Sequence, residues 1–184
     1  VKVAKKTIDV QIKDKDFELF LSEDEIQSEI SKLAAKINKD YAGKDVIFLG
    51  ILNGAFMFIA DLLKKVDLEC EVSFIKVSSY KGTSTTGNVH ELIGLVNSLK
   101  DKHVLIVEDI VDTGLTLDKI YSIIDHDEPT SLEVVSLLYK PDSFKGNHPP
   151  KYFGFSIPNK FVVGYGLDYL EHGRNTAAIY KLIE

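Results

Sequence analysis

The sequence predicts an α/β fold, an open and mainly parallel twisted sheet with helices on both faces. Three observations lead there. Apolar runs such as residues 46–52 and 104–107 show no polar alternation, the pattern of strands buried on both sides in a parallel sheet. Stretches with helical apolar spacing alternate with these runs through the middle of the chain, as crossover units require. Turn residues cluster where the runs end, so the turns at Asn53-Gly54, Ser79-Tyr80 and Asp112–Thr116 all follow strands. In open α/β sheets ligands bind beyond the carboxyl ends of the strands, so these three turns converge on one rim.

In chain order, residues 8–12 and 17–21 form a β-like lead. Ser22 and Glu25 then match a capping box. Ile26, Ile30, Leu33, Ala34 and Ile37 keep helical spacing, so a helix runs to about Tyr41 and Gly43 closes it. Residues 46–52 are a strand, Asn53-Gly54 a turn, 55–65 a helix and 71–79 the next strand. Residues 79–88 are rich in Ser, Thr, Gly and Lys without periodicity, the make-up of a long loop able to serve as a lid. Strand 104–107, helix 115–126 and strand 132–138 follow, with an irregular connection over 142–150. Short strands at 153–157 and 161–163 complete the pattern. There is no internal repeat.

The most informative stretch is Val104-Leu105-Ile106-Val107-Glu108-Asp109-Ile110-Val111-Asp112-Thr113-Gly114-Leu115-Thr116. Aliphatics end in adjacent acids, then an acid, two hydroxyls and a glycine arrive where a helix begins. Free N–H groups at such a helix start form an anion site. Thr113, Thr116 and the backbone around Gly114 suit a phosphate monoester, and Gly114 lets the backbone approach it without a Cβ clash. Glu108 and Asp109 point in different directions and are good acceptors for sugar hydroxyls or the water shell of Mg²⁺. Helix capping alone needs one acid or hydroxyl, not this cluster.

Composition narrows the class further. A length of 184 residues suits one domain, 1–184, with a sizeable core. The single cysteine, Cys70, lies in an apolar stretch and reads as a buried small hydrophobe, so intrachain disulfides are excluded. The five histidines show no metal-binding spacing. A formal charge of −6 argues against a broad nucleic-acid surface. The N-terminal residues lack the apolar core of a signal peptide, and the longest apolar stretch, 46–60, is too short and too interrupted to span a bilayer. A cytoplasmic protein without membrane or nucleic-acid partners is the expectation. No Walker loop is present, and Gly164 and Gly166 lack the third glycine of a dinucleotide fingerprint.

The 104–116 run resembles the ribose-phosphate signature of the type I phosphoribosyltransferases, which bind phosphoribosyl pyrophosphate (PRPP), and within them is most similar to the hypoxanthine or hypoxanthine-guanine enzymes. Residues 158–169, Pro-Asn-Lys-Phe-Val-Val-Gly-Tyr-Gly-Leu-Asp-Tyr, resemble the purine-binding stretch of those enzymes. The resemblance covers residues 17–180. It implies that Glu108 and Asp109 hold the ribose hydroxyls, directly or through Mg²⁺, and that Asp112, Thr113, Gly114, Leu115 and Thr116 hold the 5′-phosphate. It makes Asp112 the general base. Leu52, Asn53 and Gly54 become the pyrophosphate turn, where relatives can carry a cis peptide between the first two. Some relatives place Lys at the position of Asn53, so that charge is missing here.

By the same resemblance Arg174 meets pyrophosphate, and Ser79 and Tyr80 close a mobile loop, about 79–92, over the reacting centre. Lys140, at the end of its strand, bonds the 6-oxo group of the purine. Phe161 stacks on the base, the Val162 backbone reads its edge, and Asp168 sits beside the base and a metal-bound water. A hood built from the N-terminal strands and about 141–184 is implied, with assembly as a homodimer or homotetramer. The implied reaction joins hypoxanthine, with guanine the further candidate, to PRPP with Mg²⁺ as cofactor. The main rival is a nucleotide-sensing regulator on the same fold; such proteins usually carry a basic face or an extra DNA-binding domain, for which the charge and length leave no room, while a local basic patch stays open. An adenine or pyrimidine transferase conflicts with Lys140, a donor suited to a 6-oxo acceptor.

Overall fold

The structure, a computed structural model, describes residues 9–78, 90–93 and 98–183. Its centre is a six-stranded sheet built from β3 (Val46–Ile51), β4 (Cys70–Ser78), β5 (His90–Ile93), β6 (His103–Val111), β7 (Ser131–Tyr139) and β8 (Tyr152–Ser156), in the order β5-β4-β3-β6-β7-β8. The five strands β4, β3, β6, β7 and β8 are parallel, and β5 pairs antiparallel with β4. Every residue of β3 is buried, as its unbroken apolar run requires.

Helix α1 (Glu23–Asp40) begins where the capping box predicts. The Ser22 hydroxyl accepts the Glu25 N–H at 3.3 Å, and the Glu25 carboxylate accepts the Ser22 N–H at 2.8 Å. Its buried stripe, Ile26, Ile30, Leu33, Ala34 and Ile37, packs with Phe58, Ile59 and Leu62 of α2 (Phe56–Leu63) over Phe48, Leu105, Val107 and Val135. The alternate residues of the same strands, Ile47, Leu49, Val104, Ile106 and Val134, face α3 (Leu115–Ile124) through Leu117, Ile120 and Ile124. Period-two alternation thus feeds two cores, and each fully buried aliphatic side chain contributes about 1.5–3 kcal/mol of transfer free energy.

A second, antiparallel sheet stands beside this framework. It joins β1 (Val10–Ile12), β2 (Lys15–Leu21), β9 (Val162–Val163) and β10 (Ile179–Leu182) in the order β1-β2-β10-β9, with Ile12, Phe17 and Val163 at its core.

Four features differ from the sequence expectation. Strand β6 runs through the acid pair to Val111, because its ladder with β7 continues to Ile110↔Leu138 and Val111↔Tyr139. Backbone pairing here overrides the change in side-chain polarity. Residues 90–93, expected at the end of the mobile loop, form β5. Residues 152–156, counted with the hood, pair with β7 in the main sheet. Helix α3 ends at Ile124 and passes into a 3₁₀ turn over Asp125–Asp127. Ser79 and Tyr80 lie outside the described residues.

Candidate active site

The carboxyl ends of β3, β6 and β7 bring most of the expected residues together. Glu108 and Asp109 occupy consecutive positions of β6, each only 8 % exposed. Burial and then the charge of Asp109 push the Glu108 carboxyl well above the usual carboxylate range. Burial also pushes Asp109 up to about 6, although the Ile110 N–H at 2.8 Å and the Arg174 charge pull the other way. Among the described residues, two buried side-chain polar atoms lack a hydrogen-bond partner: Glu108 Oε2 and Ser143 Oγ. An orphaned carboxylate oxygen in this position fits a cation or a sugar hydroxyl and is costly without one.

Beyond β6 the chain turns into α3. Gly114 is the N-cap at φ +83°, and no side chain caps the helix, which leaves its first-turn N–H groups to meet an anion. Thr113, Leu115 and Thr116 are exposed there. A Cβ on Gly114 would lie 2.4 Å from the Phe144 ring and 3.1 Å from Gly146 Cα. The Lys145 N–H donates to the Thr113 carbonyl at 3.0 Å, so the 141–147 connection buttresses the turn from behind. Lys140, 6 % exposed, donates from Nζ to Asp112 Oδ2 at 2.8 Å, and its N–H donates to the Val111 carbonyl.

The turn after β3 comes next. The Leu52–Asn53 peptide is cis, and the Leu52 N–H donates to the Ile75 carbonyl at 2.9 Å. Gly54 is required by contact: a Cβ there would stand 1.8 Å from Asp109 Oδ2. Asn53 Oδ1 accepts a hydrogen bond from Lys76 Nζ of β4 at 3.1 Å, which brings a cation to the turn that Asn53 itself does not supply. On the other side, a Cβ on Gly166 would lie 2.1 Å from the Gly54 carbonyl oxygen. The Gly166 carbonyl accepts Arg174 Nη1 at 2.8 Å, and Arg174 Nη2 is 2.8 Å from Asp168 Oδ1 and 3.0 Å from Glu171 Oε2. Asp109, Gly54, Gly166, Arg174 and Asp168 therefore form one contiguous cluster.

Phe161 and Val162 stand apart from this cluster, on the second sheet. Val162 is buried in the β9–β10 pair, while Phe161 is 47 % exposed with its ring edge-on to Tyr169 at 5.9 Å and tilted to Phe17 at 6.4 Å. An aromatic face left that open is a platform for a flat ligand. Lys76, Glu171 and Phe144 also touch the site residues, yet no motif singles them out in sequence. Their contacts join segments 23 or more residues away or depend on turn geometry, and only the strand-end position of Lys76 hints at the rim.

A parallel sheet with buried acids, an uncapped helix start and a glycine-seated second turn form a site suited to an anionic ligand. A family model for the phosphoribosyl transferase domain matches residues 21–170, and the chain belongs to the phosphoribosyltransferase family. Within that family it is 45 % identical to the hypoxanthine-guanine phosphoribosyltransferase of Staphylococcus aureus (strain N315), over 90 % of this chain and 93 % of the relative. It is 44 % identical to the hypoxanthine phosphoribosyltransferase of Escherichia coli (strain K12), over 90 % and 95 % of the two chains. The crystal structure of a hypoxanthine phosphoribosyltransferase from Staphylococcus aureus superposes with a TM-score of 0.85 at 44 % identity, covering 90 % of this chain and 91 % of that one.

Proposed function

We propose that this protein is a 6-oxopurine salvage enzyme, transferring the 5-phosphoribosyl group of PRPP to N9 of hypoxanthine, with guanine as a second base. In the reaction the C1′–oxygen bond to pyrophosphate breaks and the N9–C1′ bond forms, while the purine gives up one proton. Products are the nucleoside 5′-monophosphate and pyrophosphate. The observation that supports this most is the Lys140–Asp112 pair, 2.8 Å apart beside the uncapped start of α3. A donor and an acceptor at that spacing match the 6-oxo oxygen and N7 of one purine ring.

Thr113, Gly114, Leu115 and Thr116 receive the 5′-phosphate on hydroxyls and backbone N–H groups. Asp112 accepts the proton from N7 as N9 attacks C1′, and Lys140 turns from Asp112 to the 6-oxo group. Phe161 stacks on the base and the Val162 backbone reads its edge. The 52–54 turn and Arg174 hold the leaving pyrophosphate, the guanidinium matching phosphate oxygens. Glu108 and Asp109, with Asp168 through water, would hold Mg²⁺, which supplies Lewis-acid neutralisation of the leaving group. Among the described residues no group of three or more His, Cys, Asp or Glu side chains forms a metal cage. A Mg²⁺ shell completed by substrate oxygens and water is the ordinary arrangement at phosphate sites. Assembly as a homodimer or homotetramer belongs to the same reading.

Purified protein supplied with Mg²⁺, PRPP and, in turn, hypoxanthine, guanine, xanthine and adenine tests the proposal. Nucleotide from hypoxanthine and none from adenine is expected. Absence of product with every base, despite PRPP binding, would overturn it in favour of a ligand-sensing role.

A further inference from the structure

We propose that the Tyr165 hydroxyl and the Asp61 carboxylate form a pin that sets the distance between the base-side loop and the pyrophosphate turn. This makes Tyr165 and Asp61 positioning residues for PRPP. The inference rests on reading residues 52–54 and Arg174 as the pyrophosphate side of the site.

The Gly164–Leu167 segment closes on itself, with the Gly164 N–H donating to the Leu167 carbonyl at 3.0 Å and the reverse bond at 3.1 Å. Its two central residues, Tyr165 and Gly166, both have positive φ, +51° and +100°. A two-residue turn with positive φ at both centres favours Asn-Gly or Gly-Gly, and a bulky residue at the first centre is disfavoured. Such a conformation persists only where the surroundings over-determine it. Here they do: the Tyr165 ring is 2 % exposed, and its hydroxyl donates to Asp61 Oδ2 at 2.6 Å.

Asp61 is itself fixed. It accepts Gln27 Nε2 of α1 at 2.6 Å and Lys64 Nζ at 2.9 Å. It sits on α2, which starts two residues after Gly54, so the anchor rides on the element that carries the pyrophosphate turn. At the other end of the lever, Gly166 stands against the Gly54 carbonyl, and its own carbonyl accepts Arg174 Nη1. Burial raises the Asp61 carboxyl, but the bonds from Tyr165, Lys64 and Gln27 outweigh it and hold the group below its ordinary range, so the acceptor is charged. Removing the hydroxyl frees the turn to drift from Gly54 and carries the Arg174 anchor with it. The base platform, held separately in the β9–β10 pair, stays in place.

The test is Tyr165→Phe, with Asp61→Ala and the double variant, in the full chain. Loss of one charge-assisted hydrogen bond predicts a rise in KM for PRPP of about tenfold, with KM for hypoxanthine within about twofold of the parent. The double variant should be no worse than Asp61→Ala alone. Hydrogen exchange of the Gly166 N–H, bonded to the Arg174 carbonyl, should quicken about tenfold in Tyr165→Phe, a readout that needs no activity. An unchanged PRPP KM together with unchanged exchange overturns the pin, as do equal rises in both KM values. If the parent protein forms no nucleotide, the PRPP reading fails while the exchange measurement still decides whether the hydroxyl holds the turn.

Discussion

Both ends of the main sheet are polar, and they treat polarity in opposite ways. At the amino end, Tyr152 donates to Asp40 at 2.7 Å, His103 Nδ1 meets Ser131 Oγ at 2.8 Å, and Lys151 pairs with Glu133 at 3.0 Å. The Tyr41 ring packs edge-on against His103 at 6.0 Å. Each group is answered by a neighbour. At the carboxyl end, two carboxylates share consecutive buried positions, one oxygen has no donor, and α3 starts without a side-chain cap. The amino end satisfies its own polar groups, while the carboxyl end leaves donors and acceptors suited to a ligand. Unanswered polarity in a well-packed framework marks the site, because a purely structural cluster would have been satisfied internally.

The largest effect expected from breaking this contrast is at Asp112. Asparagine keeps an oxygen for Lys140 but cannot take a proton, so Asp112→Asn should lower kcat by about 100-fold or more, the usual scale for a general base. KM for PRPP should move less than about threefold. Steady-state kinetics with both substrates decides it: a loss confined to PRPP affinity, with turnover intact, would remove Asp112 from proton transfer.

The buried acid pair should also cost stability, with a sign opposite to ordinary acid denaturation. Asp109 holds its proton more tightly in the folded chain than its ordinary value of 3.8. Its contribution is therefore fully present below that value and is lost as pH rises through about 6. Glu108 shifts in the same direction. Melting curves from about pH 8 down to about pH 5 should show Glu108→Gln more stable than the parent by several degrees at the alkaline end, with the gap closing as pH falls. PRPP with Mg²⁺ should narrow the gap at high pH by binding the parent's acids. A variant that melts lower than the parent throughout would mean the pair is satisfied after all.

What could be read from sequence follows the same division. Parallel strands, the capping box and the Asp112–Thr116 turn are local signals, and the chain forms them where residue pattern requires. The end of β6 was not legible, because hydrophobic pattern ends at Val107 while the ladder continues to Val111. Placing carboxylates inside a buried strand contradicts local preference, the departure from pattern that functional sites show. Strand β10 is four residues long and owes its existence to β2 and β9, the former about 160 residues away in sequence. Lys76 and Phe144 are equally silent, and Tyr165, though inside the 158–169 motif, gives no sign of its bond to Asp61, since each contact is created only by tertiary structure.

A smaller effect is expected at the platform. Phe161→Ala removes the open ring while Val162 stays in its ladder, so KM for hypoxanthine should rise about tenfold, the worth of one aromatic stack. Turnover at saturating base should stay within about twofold. Titration of the base at fixed PRPP distinguishes this from a fall in kcat alone, which would assign the ring to catalysis rather than binding.

The smallest effect belongs to the satisfied end. Tyr152→Phe deletes the hydroxyl that reaches Asp40, an exposed residue whose carboxylate water can serve instead. The loss is then one ordinary hydrogen bond, about 1 kcal/mol, or roughly 2–4 °C in melting temperature for a chain of this size. Lys151→Met should cost less still, since both partners of its ion pair are partly exposed and surface pairs contribute about 0–1 kcal/mol. Neither change should move kcat or either KM, because the amino ends of the strands lie a full strand length from the rim. A change of more than about twofold in kcat for Tyr152→Phe would show that the two ends are coupled through the sheet, and the division between a finished end and an open one would have to be abandoned.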